Sequence, residues 1–229
     1  MFYSPPVLIF SILLLSNCCF GLRLHGTRSS RSPLINWYCL EANIDFEQVP
    51  SRPSNHPFDQ TPFLTDNNNV EVFESGAILL YLADKYGKND TPEDRAKYTK
   101  WVVWSNSELD NICFGGMKGI NMRLDQPNKA IEKLESMLEN DNYLVDNTFS
   151  VADVAVASYL NYVPLFYRDI NLSKRPNMCK YMQRNAERQS FADAFGEDHQ
   201  SLILSKTNEW LSTPAQSGNT NMKKQWGLF

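Results

Sequence analysis

Gln60-Thr61-Pro62-Phe63-Leu64-Thr65-Asp66, followed after a short gap by Phe73-Glu74-Ser75-Gly76-Ala77-Ile78-Leu79-Leu80-Tyr81-Leu82-Ala83-Asp84-Lys85-Tyr86, joins a proline-gated strand to an acidic, serine-led helix start. A cis bond before Pro62 would turn the N–H and C=O of Thr61 outward, and cis bonds are rare enough to be structural features where they occur. A short peptide could then lie along Thr61 as an added strand. Its carboxylate would meet Ser75 and the first free N–H groups of the next helix, and its ammonium would meet Glu74. The same residues also read as an ordinary X-Pro turn, an edge strand and an amphipathic helix with a serine N-cap. Residue types alone leave both readings open.

Outward from this stretch, Leu22-Arg23-Leu24-His25 alternates like a short strand, and Gly26 to Ser30 reads as a turn into a helix from about Ser32 to Ala42. Phe46 to Val49 is a second strand candidate, and strand, helix, strand implies a right-handed parallel crossover. Phe63 to Thr65 and Val70 to Phe73 flank Asp66-Asn67-Asn68-Asn69, a hairpin signal from residues that tolerate positive φ. The helix from Ser75 stops at Gly87, a natural left-handed terminator. The order β-α-β, then β-β-α, resembles a thioredoxin-like domain, a mixed sheet sandwiched by helices.

From Thr91 the pattern is helical throughout. Thr91-Pro92-Glu93-Asp94 supplies an N-cap, a first-position proline and first-turn acids for a helix expected to run to about Phe114. A second helix fits Asn128 to Glu139. Phe149-Ser150-Val151-Ala152-Asp153-Val154 is a capping box that should start a buried central helix, since Val151 to Leu160 carries almost no charge. Arg175-Pro176 opens another helix, and Ser190 to Leu211 holds one or two more. The expected division is a targeting segment at 1–21, a thioredoxin-like domain at 22–87, an all-helical domain at 91–212 and a disordered tail at 213–229.

The net charge of −4, with no long basic run, gives no footprint for nucleic acid or an anionic membrane surface. Five cysteines without a CxxC, and three scattered histidines, argue against a disulfide framework or a metal centre, so no metal is expected. Val7 to Leu15 is a nine-residue run whose one polar member is Ser11, as in a secretory leader, and it is too short for a stable membrane span. The leader lacks a basic n-region, so a misassigned first exon gives the same picture. A true leader implies the secretory pathway or a membrane-enclosed organelle, a plastid among them, and gives meaning to the sequons Asn89-Asp90-Thr91 and Asn171-Leu172-Ser173; otherwise the protein is cytoplasmic.

Three features together, the Gln60-Thr61-Pro62 motif, the Glu74-Ser75-Gly76-Ala77-Ile78 sequence and the Ser150 to Asp153 box in a helical second domain, make the chain resemble the cytosolic-type glutathione S-transferases from about Leu22 to Leu211. The text from Phe73 to Lys85 is similar to theta-, phi- and Ure2-like, serine-type members. The resemblance implies an α+β protein: a thioredoxin-like N-terminal domain followed by an all-α C-terminal domain. It implies glutathione as co-substrate, a small electrophilic or apolar partner substrate, and a homodimer. The activity it implies is activation of the glutathione thiol for conjugation to electrophiles or for thiol or peroxide reduction. The alternative is a non-catalytic binding or dimerisation module on the same fold.

Carried over by position, Ser30 is the hydroxyl that activates the thiol, with Ser29 and Ser32 too near to exclude. Thr61 pairs with the cysteinyl backbone beside Pro62, Glu74 and Ser75 hold the γ-glutamyl end, and Gln60 reaches the glycine carboxylate. Such a thiolate gains from a hydroxyl donor and a helix N-terminus, against a free-thiol value of about 8.5. Cys39 lies too far into the first helix to be nucleophilic and reads as buried packing. Tyr98, Trp101 and Trp104 stand at helical spacings that suit either an electrophile pocket or the core. Val49 to Pro57 is shorter and richer in proline than the family's corresponding stretch, which usually carries a helix, so either affinity at the glycine end is weak or Arg52 or His56 substitutes for the missing contacts.

Overall fold

The computed structural model describes residues 21–87, 91–118 and 123–213; the leader before Gly21, Asn89 of the first sequon and the tail from 214 lie outside them. Strand β1 (Arg23–His25) runs into α1 (Ser32–Glu41) and β2 (Glu47–Val49), and then come β3 (Phe63–Asp66), β4 (Val70–Phe73) and α2 (Ser75–Tyr86). The sheet order is β2-β1-β3-β4, with β1 and β2 parallel across the α1 crossover and the other two pairings antiparallel. Leu24 on β1 and Leu64 on β3 pair directly and are buried against the α1 and α2 faces that carry Leu34, Ile35, Ile78 and Leu79. The β3–β4 turn places Asn68 and Asn69 at φ 61° and 59°, the conformation asparagine tolerates.

The helical domain comprises α3 (Pro92–Trp104), a π-helical turn (Ser105–Leu109), α4 (Asp110–Phe114), α5 (Lys129–Met137), α6 (Val151–Phe166), α7 (Pro176–Ala186), α8 (Gln189–Phe195) and α9 (Glu197–Ser212). Thr91 caps α3 through Oγ1, which accepts from Asp94 N–H at 3.1 Å. Ser150 and Asp153 form the expected reciprocal box, and α6 is buried along nearly its whole length. No helix among the described residues is long and apolar enough to cross a membrane.

Two expectations need correction. The helix from Thr91 is not regular to Phe114: Ser105 Oγ and Asn106 Nδ2 both donate to the Val102 carbonyl, at 2.8 and 2.9 Å, and Ser107 Oγ takes Val103 O. Small polar side chains thus compete for the backbone ladder just where it widens by one residue per turn. Gly87 ends α2, but at φ −81° and ψ 179°, an extended exit and not the left-handed one.

The two domains meet along α1. Trp37 stacks edge-on against Phe191 at 5.2 Å and leans on Phe149 at 5.6 Å. At the end of the same helix, Arg188 Nε and Nη2 grip the Glu41 carboxylate at 2.5 and 2.6 Å, with Ser190 Oγ and Trp37 Nε1 completing its shell.

Candidate functional site

A cleft of about 890 Å³ opens between the edge formed by the starts of α1 and α2 and the helices of the second domain. Its walls include Ser30, Gln60, Thr61, Pro62, Glu74 and Ser75, so these six residues converge on one cavity.

The Thr61–Pro62 bond is cis. The β1–β3 ladder ends at the His25–Phe63 pair, and among the described residues nothing takes the N–H or C=O of Thr61. Beyond β4, Glu74 sits at φ 68° and ψ 124°, a backbone conformation that non-glycine residues avoid and that tends to persist at ligand clamps. It turns the chain so that α2 begins at the cleft. Glu74 occupies the cap position with its side chain exposed, and Ser75 is the first helical residue, its buried Oγ donating to Asn106 Oδ1 at 3.2 Å. The serine is therefore not the N-cap, and the first N–H groups of α2 keep no partner within the helix.

At the α1 start, Gly26 turns at φ 145° and its N–H donates to Val49 O at 2.9 Å. Ser29 and Ser30 reach the cleft, whereas Ser32 is buried outside it. Ser30 Oγ donates to Thr27 O at 2.8 Å and accepts from Ser32 N–H at 3.1 Å, which makes it the practical cap of α1. Cys39 lies deep inside α1 against the core, and burial pushes its thiol up to about 12, so it is no nucleophile.

One end of the cleft is bounded by the 50–62 loop, which forms no helix. Arg52 and His56 both line the cleft, with Arg52 paired to Asp59 at 3.1 Å. His56 is buried against Phe63 and Phe73, at 5.2 and 5.3 Å, and its Nδ1 accepts from Phe58 N–H.

Tyr98, Trp101 and Trp104 do not wall this cleft. Trp101 and Trp104 pack edge-to-face at 5.8 Å in a separate groove with Lys133, Leu134 and Met137, and Tyr98 lies over α2 beside Leu80. The far wall is built instead by Phe114, Met117, Tyr159, Tyr162 and Phe166. Sequence reasoning also missed Arg31, Asn106 and Asp110. Arg31 forms an ion pair with Asp110 and lies 4.4 Å above the Tyr159 ring. Asn106 Oδ1 accepts from both Ser75 and Tyr159, the latter at 3.0 Å, joining the two domains at the cleft floor. Burial pushes the Tyr159 phenol up to about 12 and raises that of Tyr162, so both stay neutral at ordinary pH.

The family model described as the glutathione S-transferase N-terminal domain matches residues 21–84, and the one described as the C-terminal domain matches residues 121–189. Glutathione S-transferase GstB of Escherichia coli strain K12 is 28% identical over 151 residues, covering 58% of this chain and 72% of the relative. Glutathione S-transferase D7 of Drosophila melanogaster is 30% identical over 142 residues, covering 56% of this chain and 62% of the relative. Among solved structures, the glutathione transferase URE2P5 from Phanerochaete chrysosporium superposes with a TM-score of 0.63 at 19% identity, over 82% of this chain and 98% of that one. The theta class enzyme of Xanthomonas axonopodis pv. citri, solved with glutathione bound, gives 0.57 at 17% identity, over 77% of this chain and 97% of that one. At those identities the superpositions establish the shared fold.

Proposed function

Since the chain belongs to the glutathione S-transferase family, we propose that its cleft binds glutathione and transfers it, through sulfur, to a small electrophilic or apolar co-substrate. One observation carries the proposal: the unpaired Thr61 backbone, the strained Glu74 and the open start of α2 face a single cavity. The cysteinyl backbone of the tripeptide pairs with Thr61 beside Pro62, as an added strand does. Glu74 takes the γ-glutamyl ammonium, and Ser75 with the α2 N–H groups takes its carboxylate. Gln60, Arg52 and His56 face the glycine carboxylate.

This orientation sets the sulfur at the α1 start, beside Ser30 and under the aromatic wall of Phe114, Tyr159 and Phe166. There the thiol gives its proton to solvent, the thiolate attacks the electrophilic atom to form a C–S bond, and the leaving group departs with its electron pair. Holding both reactants in one cleft converts a bimolecular encounter into a positioned one. Ser30 is the hydroxyl assigned to the thiolate, so Ser30→Ala tests its share directly.

The same reading includes a homodimer, a detoxifying or peroxide-reducing role, and a leader in residues 1–21 that directs the chain into the secretory pathway or an organelle. Calorimetric titration with glutathione and with S-hexylglutathione tests the central claim. Saturable binding of both, the second tighter because its hexyl chain meets the aromatic wall, supports it. Folded protein that binds neither refutes it.

A further inference from the structure

At the α1 start the hydroxyls are committed, whereas one guanidinium has donors to spare. A serine oxygen has one proton and two lone pairs. Ser30 Oγ lies 2.8 Å from the Thr27 carbonyl oxygen, which can only accept, so its proton points there. Its lone pairs face Ser32 N–H at 3.1 Å and the Ser32 hydroxyl at 2.8 Å. Satisfying its neighbours uses all of its capacity. Ser29, the other hydroxyl on this wall, is shared with Thr27 Oγ1 at 2.8 Å.

Arg31, the next residue, lines the same cleft and carries five donors in a rigid fork. Its Nη2 meets Asp110 Oδ1 and the fork also interacts with the Tyr159 hydroxyl, which leaves several of the five donors to spare. The plane is fixed from two sides, by Asp110 on α4 and by the Tyr159 ring at 4.4 Å, with Phe114 at 5.8 Å. The side chain keeps 37% of its surface exposed, and Asp110 keeps 11%, so the pair is anchored on the acid side and open on the basic side.

We infer that Arg31, more than the Ser30 hydroxyl, stabilises the glutathione thiolate, with Asp110 and Tyr159 as the positioning residues that aim its free donors into the cleft. The inference rests on the glutathione reading above. The step is a proton transfer only: the S–H proton goes to solvent, and the sulfur keeps its electron pair beside the guanidinium. An opposite charge within hydrogen-bonding reach lowers such a value by roughly one to three pH units. The charged and titratable groups around Arg31 are Asp110 and the buried Cys113 thiol, which burial pushes up, from α4, Tyr159 and Tyr162 from α6, and, across the cleft, Glu74, Arg52, His56 and Asp59. Both tyrosines remain neutral through the working range, so the guanidinium faces no titrating phenolate there.

The test is the ultraviolet absorbance of the thiolate in bound glutathione, titrated with pH on the full chain. Wild-type protein should show a midpoint below that of free glutathione by roughly one to three units, and Ser30→Ala should keep most of that shift. Arg31→Gln should return the midpoint to within about half a unit of the free thiol. Because that change removes a cation from beside Asp110, the double variant Arg31→Gln/Asp110→Asn, in which both members of the pair are neutral, should do the same. Arg31→Lys should restore part of the shift. Turnover of Arg31→Gln should fall roughly tenfold or more at pH 6.5 and converge on wild type at high pH, where the thiol ionises unaided. A double variant that binds glutathione with the lowered midpoint intact overturns the inference, as does loss of the whole shift in Ser30→Ala. A wild-type protein that binds no glutathione would instead sink the underlying functional reading.

Discussion

Asp153 offers a quantitative test of how the helical domain is built. Its Oδ1 accepts from Leu144 N–H and Tyr181 OH, each at 3.0 Å, and its Oδ2 accepts from Ser150 N–H at 2.9 Å and Ser150 Oγ at 3.2 Å. Burial nevertheless outweighs these four bonds and raises the carboxyl from 3.8 to about 6. A folded value above the unfolded one means the native state binds the proton more tightly. This contribution is fully present below about pH 4 and is lost as pH rises through about 6. The whole window is worth roughly 3 kcal/mol, and the part lying between pH 5 and pH 7.5 roughly 1.4 kcal/mol. Asp153→Asn cannot ionise, but its amide turns one acceptor into a donor against the Ser150 N–H, costing about 1–3 kcal/mol at any pH. Denaturant unfolding of both proteins at pH 5.0 and 7.5 should therefore show the variant less stable at pH 5.0, with the gap narrowing by roughly 1.4 kcal/mol at pH 7.5. Carboxylates held low by their partners, such as Asp66 and Glu41, titrate alike in both proteins and cancel in the difference. A gap that stays constant, or widens toward neutral pH, would refute the assignment of burial as the dominant force on this carboxyl.

Two further substitutions separate strain from packing. Gly26→Ala would set a Cβ 1.8 Å from Ser32 Oγ at a φ of 145°, and the combined cost of roughly 2–4 kcal/mol should lower Tm by about 5–15 °C; an unchanged melting curve contradicts the close approach. Glu74→Gly removes the side chain from a φ of 68° and should raise stability by up to about 1 kcal/mol, while glutathione affinity falls roughly tenfold with the lost carboxylate; a less stable variant, or one that binds as wild type does, refutes the assignment of strain and ligand contact to one residue.

What the sequence revealed and what it withheld divide by the range of the interaction. Thr91, Ser150 with Asp153, and the Asn68-Asn69 turn announce themselves because each is closed by bonds within four residues of itself. The cleft's near wall was equally legible, since Thr61, Pro62, Glu74 and Ser75 lie in one short stretch. Arg31 was not, because its meaning depends on Asp110, far along the chain and just past the π-helical turn. A weak signal existed: Asn106 and Asp110 stand four apart as polar residues among the buried Val102, Leu109 and Cys113, a placement that asks for partners across the fold. Tyr98, Trp101 and Trp104 show the converse limit, for helical spacing fixes a shared face but not the cavity that the face borders.

The cleft floor belongs to neither domain alone, and this governs what substitutions there will do. Ser75 and Arg31, from the first domain, end on Asn106 and Asp110 of the second, and Tyr159 braces both through its hydroxyl and its ring. Behind them, Glu41 and Arg188 close a second junction at which the carboxylate keeps 13% of its surface. Burial there works to raise the Glu41 value, but Arg188, Ser190 and Trp37 hold it below the usual range. Removing Arg188 from so enclosed a carboxylate leaves Glu41 only the neutral Ser190 and Trp37 donors, so it should cost more than breaking a surface pair. The helical domain therefore does more than wall the cleft. By holding Asn106 and Asp110 in place, it sets the orientation of Ser75 and Arg31, so a change at Asn106 should disturb, through Ser75 and Tyr159, both the proposed γ-glutamyl site and the setting of Arg31.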